Sequence, residues 1–276
     1  MGYIKLKKLA HPSSMRKFAM GMWKTAKDPS IYSFMEIDMT KALSKIESYE
    51  KKHNIKITPT SLVAKAICHC LKKRPELNAL IRNNRIYLRE HIDLFFQVNM
   101  PGKEGSEIEG ADLGGTQIFE AENLKLFEIA KTLKAKATKV KKREDKELSK
   151  NQGLIKWIPW SLVGLFLDLS SWIVYGLNIP FPGLPRDPFG SVMITSVGSM
   201  GVDKALAPLV PFSRTPAVVV VGEIKKKAWV IDDQVQARPI MTIGVTLDHR
   251  VIDGVHGANL GQEFQLCFEN PELLFD

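Results

Sequence analysis

The spacing of apolar and polar residues divides the chain into short elements. "DPSIYSFMEIDMT" (28–40) reads as a strand, and "TKALSKIESYEKKHNI" after it changes to helical spacing with a charged outer face. "TPTSLVAKAICHCLKKRPELNALI" predicts a second helix, capped by Thr58 or Thr60 and stopped by Pro75. "RIYLREHIDLFFQVNMPG" is rich in aromatic and β-branched residues and predicts a strand pair or one bent strand. "LKLFEIAKTLKAKATKV" returns to the helical period, with Leu126, Ile129, Ala130, Leu133, Ala137 and Val140 on one side. "SVMITSVGS" (191–199) and "AVVVVGEI" (217–224) are strands. "KAWVIDDQVQARPIMTIGVTLDH" predicts a hairpin turning near Asp232 and Asp233, and "VHGANLGQEFQLCFENPELLF" ends the chain at helical spacing.

Residues 154–185, "LIKWIPWSLVGLFLDLSSWIVYGLNIPFPGLP", stand apart. Ser161, Asp168, Ser171 and Tyr175 are spaced 7, 3 and 4, which predicts one polar stripe on an otherwise apolar helix. Asp168 in its middle and the short span from Pro159 to Gly176 do not suit a membrane crossing. The expectation is a helix packed on its own domain or on another subunit. A helix lying in a membrane interface is the alternative. No repeat or linker interrupts the chain. It reads as one domain over 1–276, with an apolar helical insertion at about 154–185.

Composition narrows the class only a little. With 276 residues, 45% of them hydrophobic and 25% charged, the chain has the make-up of a soluble globular protein. Much of its net charge of +9 sits in "KTLKAKATKVKKREDKELSK" (131–150), read as a solvated helix face. No aromatic residue interleaves with those lysines, so a base-stacking surface for nucleic acid is not expected. Cys68, Cys70 and Cys267 make no disulfide framework. Cys68 and Cys70 flank His69 on a predicted helix, where neighbouring side chains diverge and do not converge on a metal. Residues 1–20 hold no apolar run of signal-peptide length, and a reducing cytoplasm fits best.

The stretch richest in candidate chemistry is "LDHRVIDGVHG" (247–257). His249 falls where a buried strand runs out, and Asp253-Gly254 turns the chain toward a helix. Rigid elements hold side chains well at such ends. A neutral histidine near its ordinary pKa can take a proton from a weak nucleophile at pH 7.

The motif has company. "SSMRKFA" lies near the N-terminus, "PELNALI" ends the second helix, "ITSVGSMGVDKALAPLVPFSRTPAVVVVGEI" precedes the histidine motif, and "NPELLF" closes the chain. In this order the segments resemble the catalytic domain of the dihydrolipoamide acyltransferases, the core enzymes of 2-oxoacid dehydrogenase complexes. The resemblance spans about 13–150 and 187–275. It implies a two-layer α/β sandwich of the chloramphenicol acetyltransferase type, a mixed sheet with helices on one face. It further implies acyl transfer between coenzyme A and a thiol of dihydrolipoyl type within one ternary complex. On this pattern His249 is the general base and Thr195 the oxyanion donor, a role worth about 3 kcal/mol. Asp253 pairs with an arginine of the N-terminal segment, best matched by Arg16, to orient the loop, and Gly254 permits a tight turn or a close helix approach. The family forms trimers, with His249 of one subunit facing Thr195 of its neighbour, and can build larger symmetric assemblies.

The chain departs from the family where 154–185 replaces the usual sequence and Ser196 follows Thr195. Lipoyl and subunit-binding domains have no room before the match, so any lipoyl group is expected on another chain. Trp157, Trp160 and Phe166 are expected to wall an acyl channel. A non-catalytic core-forming scaffold and a membrane-surface acyltransferase acting on a lipid intermediate are the rival readings.

Overall fold

In a computed structural model, residues 28–83, 85–100, 112–142, 144, 159–179 and 187–275 are described. Eight strands and five helices order the described chain. They are β1 (Ser30–Asp38), α1 (Thr40–His53), α2 (Pro59–Lys73), β2 (Ala79–Arg82), β3 (Arg85–Leu88), β4 (Leu94–Met100), β5 (Asp112–Ile118), α3 (Leu126–Lys141), α4 (Trp160–Ser171), β6 (Val192–Ser196), β7 (Ala217–Ile231), β8 (Gln234–Asp248) and α5 (Gly254–Glu269).

Six strands form one mixed sheet in the order β1-β8-β7-β6-β4-β5, and β2 and β3 make a separate hairpin. β6 runs parallel to both of its neighbours, while the remaining pairs are antiparallel. One face of the sheet carries the core. Val192, Ile194, Val219, Val221, Met241 and Ile243 meet apolar residues of α2, α3 and α5 there. Strand side chains alternate between faces, so Met193, Thr195, Val218, Val220, Thr242 and Gly244 belong to the opposite face. The expected two-layer α/β architecture is present.

Local signals set most boundaries. Thr58 caps α2 by accepting from the Ser61 amide, and the helix ends at Lys73, ahead of Pro75. The expected α3 face is inward: Leu126, Ile129, Ala130 and Val140 are buried, and Leu133 and Ala137 pack against the two core clusters. The segment read as a strand pair or bent strand divides between β3 and β4, which lie in different sheets. Asp232 and Asp233 both take positive φ, 49° and 59°, as a two-residue hairpin turn requires. Residues 217–231 form one long strand with a bulge between Val221 and Ile224, rather than a strand followed by a hairpin arm. Its lysine-rich half lies beyond the core, which explains why the apolar pattern breaks off.

The link from β6 to β7 crosses the core-free face. Ala207 accepts a hydrogen bond from Thr246 Oγ1 at 2.7 Å, and the Glu223 amide donates to the Val202 carbonyl at 3.0 Å. Two glycines admit this strap. A Cβ on Gly222 would stand 2.1 Å from the Asp203 oxygen, and one on Gly244 2.0 Å from the Ala205 oxygen. Lys227 ties the strap to the sheet by bonding Asp203 and Glu36, each at 3.0 Å, and Thr242 at 2.9 Å.

The apolar segment forms α4 and then widens into a π-helical stretch, Trp172–Leu177. The expected single polar stripe is not one face. Ser171 and Tyr175 are buried, whereas Ser161 and Asp168 are exposed. The helix docks instead by its C-terminal end. Arg82 Nε donates to the Gly176 carbonyl at 2.9 Å, and Arg214 Nε to Ser171 Oγ at 3.3 Å. Leu162, Leu165, Leu169 and Trp172 stay about half exposed or more. No described helix is long and apolar enough to cross a membrane.

Candidate active site

β8 delivers the histidine motif to the end of the sheet. Asp248 is its last residue, and the Asp248 amide donates to the Pro216 carbonyl at 2.8 Å. The next amide, of His249, donates to the Pro29 carbonyl at 2.9 Å, so both neighbouring strands hold the turn. Arg250 folds back on Asp248 through its amide at 3.0 Å, Nε at 2.9 Å and Nη2 at 2.6 Å. This fork holds the arginine in its charged form, and the buried carboxylate fixes the backbone on both sides of His249. The His249 side chain is exposed. Sequence reasoning gave no role to Asp248 and Arg250, although the flanking "DHR" was visible.

Asp253 is the N-cap of α5 and accepts from the His256 amide at 2.9 Å. His256 Nδ1 also lies 2.9 Å from its carboxylate. The bond from the His256 backbone is the main cause that lowers the Asp253 pKa from its ordinary value. The motif's acid therefore starts the helix that follows the histidine. The expected partner, Arg16, lies outside the described residues, as does Trp157. Gly254 does not fit its expectation. Its φ is not in the left-handed region, and an added Cβ would meet nothing within 4 Å, so no tight turn or close approach within this chain requires glycine there.

Thr195 sits on β6, half-buried, on the core-free face. Its hydroxyl bonds to none of the described residues. In register, Thr195 stands opposite Val220, and Val220 opposite Gly244, five residues before His249. Five strand residues and two strand spacings separate Thr195 from His249 by about 20 Å. The two are at opposite ends of the same sheet and do not meet within one chain.

A cavity of about 440 Å³ opens beside the histidine turn, between β2, the strap and residues 248–251. Another of about 440 Å³ lies on the core side beneath α5. Phe166 is half-buried and lines neither. Trp160 opens α4. Cys68, Cys70 and Cys267 are free and buried, and His69 faces Glu263 of α5 at 3.1 Å.

Comparison with known proteins adds a family. Residues 7–153 and 189–275 match the model of the 2-oxoacid dehydrogenases acyltransferase catalytic domain. The dihydrolipoyllysine-residue succinyltransferase component of the 2-oxoglutarate dehydrogenase complex from Rickettsia felis is 27% identical over 248 residues, 88% of this chain. The chain spans about half of that protein, 49% of its length. The cubic core of a pyruvate dehydrogenase multienzyme complex aligns with a TM-score of 0.64 at 18% identity, covering 99% of this chain and 96% of its own. Azotobacter vinelandii dihydrolipoamide acetyltransferase, studied for a serine, a histidine and an asparagine in its catalytic mechanism, aligns with a TM-score of 0.65 at 16% identity, covering 99% and 95%. These two likenesses establish the fold of an acyltransferase core.

Proposed function

The chain belongs to the family of 2-oxoacid dehydrogenase acyltransferase catalytic domains, and from that premise we propose that it moves an acyl group between coenzyme A and a small thiol acceptor of dihydrolipoyl type. His249 takes the thiol proton. The thiolate attacks the thioester carbonyl, and Thr195 donates a hydrogen bond to the oxyanion that forms. Collapse of that adduct expels the other thiolate, which recovers the proton from His249. Asp253 and Arg16 orient the histidine loop.

The observation that carries this reading is the separation of His249 from Thr195. Two uncommitted groups of complementary chemistry, about 20 Å apart in one chain, make a site only when a second copy brings its Thr195 to the first copy's His249. We therefore place the site between subunits of a homotrimer, which can build a larger assembly. In the Azotobacter protein the asparagine under study follows the histidine by four positions and the serine precedes it by 52. Here Asp253 follows His249 by four, and Thr195 precedes it by 54.

The test is transfer itself. Purified protein is incubated with acetyl- and succinyl-coenzyme A and dihydrolipoamide, and the products are read by mass spectrometry. Acyl-dihydrolipoamide and free coenzyme A appear in equal amounts if the reading is right. Release of coenzyme A without an acylated acceptor, or no turnover of any thioester, refutes it.

A further inference from the structure

We infer that Arg214 is an anion anchor in the cavity beside the histidine turn, and that this cavity takes an acyl chain ending in a negatively charged group. The inference rests on the acyl-transfer reading and names the substrate class for that site.

Placement is the first ground. His249 lies in sequence between Asp248 and Arg250, two residues that line this cavity, as does Pro29, whose carbonyl holds the His249 amide. The walls come from Ala79, Ile81, Leu209, Val210, Pro211 and Val251. They are apolar and suit a hydrocarbon stem.

Charge is the second ground. Four ionisable groups line the cavity: Asp28, Asp248, Arg214 and Arg250. Arg250 and Asp248 neutralise each other through their fork. Asp28 accepts from the Ser30 amide at 3.0 Å and its hydroxyl at 2.6 Å. Arg214 has no carboxylate partner among the described residues. Among the described residues its one hydrogen bond runs from Nε to the Ser171 hydroxyl at 3.3 Å, which leaves the terminal amino groups of the guanidinium uncommitted there. A guanidinium with free ends matches a carboxylate fork to fork.

Local geometry is the third ground. Arg214 takes φ 54° as the left-handed residue that ends the 3-10 turn Pro211–Ser213. Its Nε is held by buried Ser171 of α4. α4 falls in 154–188, the part that the family model leaves unmatched. The segment that distinguishes this chain from its family thus positions the anchor. Arg214 is a specificity-determining residue, and Ser171 is its positioning residue.

The test uses the assembled protein and S-alkyl pantetheines that end in either a methyl or a carboxylate. These probes carry no phosphate, so contact with coenzyme A phosphates does not contribute. Calorimetry should show the carboxylate-ended probe binding at least about tenfold more tightly. Arg214→Asn, which tolerates the left-handed backbone, should abolish that preference. Arg214→Lys should restore part of it, and Ser171→Ala should weaken it without removing it. In the transfer assay, the kcat/KM ratio of carboxylate-ended over neutral acyl thioesters should fall with Arg214→Asn by the same factor. Equal binding of the two probes by the wild type overturns the inference, whether or not any thioester turns over. So does an Arg214→Asn loss confined to coenzyme A affinity, which would assign the arginine to a phosphate. A probe preference that depends on Arg214 in a protein transferring no acyl group would keep the subsite and sink the acyl-transfer reading alone.

Discussion

His249 and Thr195 share one property: each is held by backbone, and neither side chain hydrogen-bonds to another of the described residues. The His249 turn is fixed by amide bonds to Pro29 and Pro216 and by the Asp248–Arg250 fork, none of which uses the imidazole. His249→Ala should therefore leave thermal unfolding almost unchanged while lowering kcat by about a hundredfold or more, the scale of a lost general base. A variant that keeps near-normal turnover would show that the base lies elsewhere. The glycines behave oppositely. Gly244→Ala drives a Cβ into the Ala205 carbonyl and should destabilise the fold by about 1–3 kcal/mol, as forced overpacking does. Gly254→Ala fills open space in the single chain, so a large loss of stability there, measured by denaturant unfolding, would mean that a neighbouring subunit presses against it.

The strap and α4 were both hard to read in the sequence. The strands, α2, α3 and the Asp232-Asp233 turn were legible because each follows from a local rule: period, cap or φ > 0. The strap has no period. Its course depends on where Gly222 and Gly244 stand in the sheet, and its anchor, Lys227, opens the stretch read as a hairpin, where spacing alone marks no partner. α4 misled for a related reason. Its spacing suggested that the polar residues share one face, but docking at Ser171, Tyr175 and Gly176 turned part of that stripe inward and left its leucines outside. Burial on both sides of the helix depends on partners far away in sequence. The strap anchor predicts a pH dependence. Lys227 is the main cause that lowers the Glu36 pKa, and it also helps hold Asp203 low. A depressed carboxylate contributes stability that is complete above its ordinary value, about 4, and is lost as pH falls below it. Thermal stability should therefore decline as pH drops below about 4, and Lys227→Met should flatten that decline. A melting temperature equally acid-sensitive in both proteins would contradict the role given to the anchor.

At the scale of the whole molecule, the resemblance already implied that His249 of one subunit faces Thr195 of its neighbour, although the motifs themselves carry no distance. The strand register sets the two residues about 20 Å apart in one chain, which accords with that expectation. On the proposed reading, the single chain holds two half-sites that assembly completes. Asp253 shows the same limit, because the chain itself displays its capping role whereas its pairing with Arg16 remains a proposal. A double-mutant cycle of Asp253→Ala and Arg16→Ala should give a joint loss of activity clearly smaller than the sum of the single losses, and strict additivity would separate the two residues. The most direct measurement mixes two inactive proteins. His249→Ala and Thr195→Ala chains are purified separately, dissociated together, reassembled and assayed for acyl transfer. A site shared between subunits predicts that each variant alone is nearly inactive and that the mixture regains activity, because some interfaces then pair an intact His249 with an intact Thr195. A mixture no more active than its components, with hybrid assemblies confirmed by native mass spectrometry, would contradict the shared site.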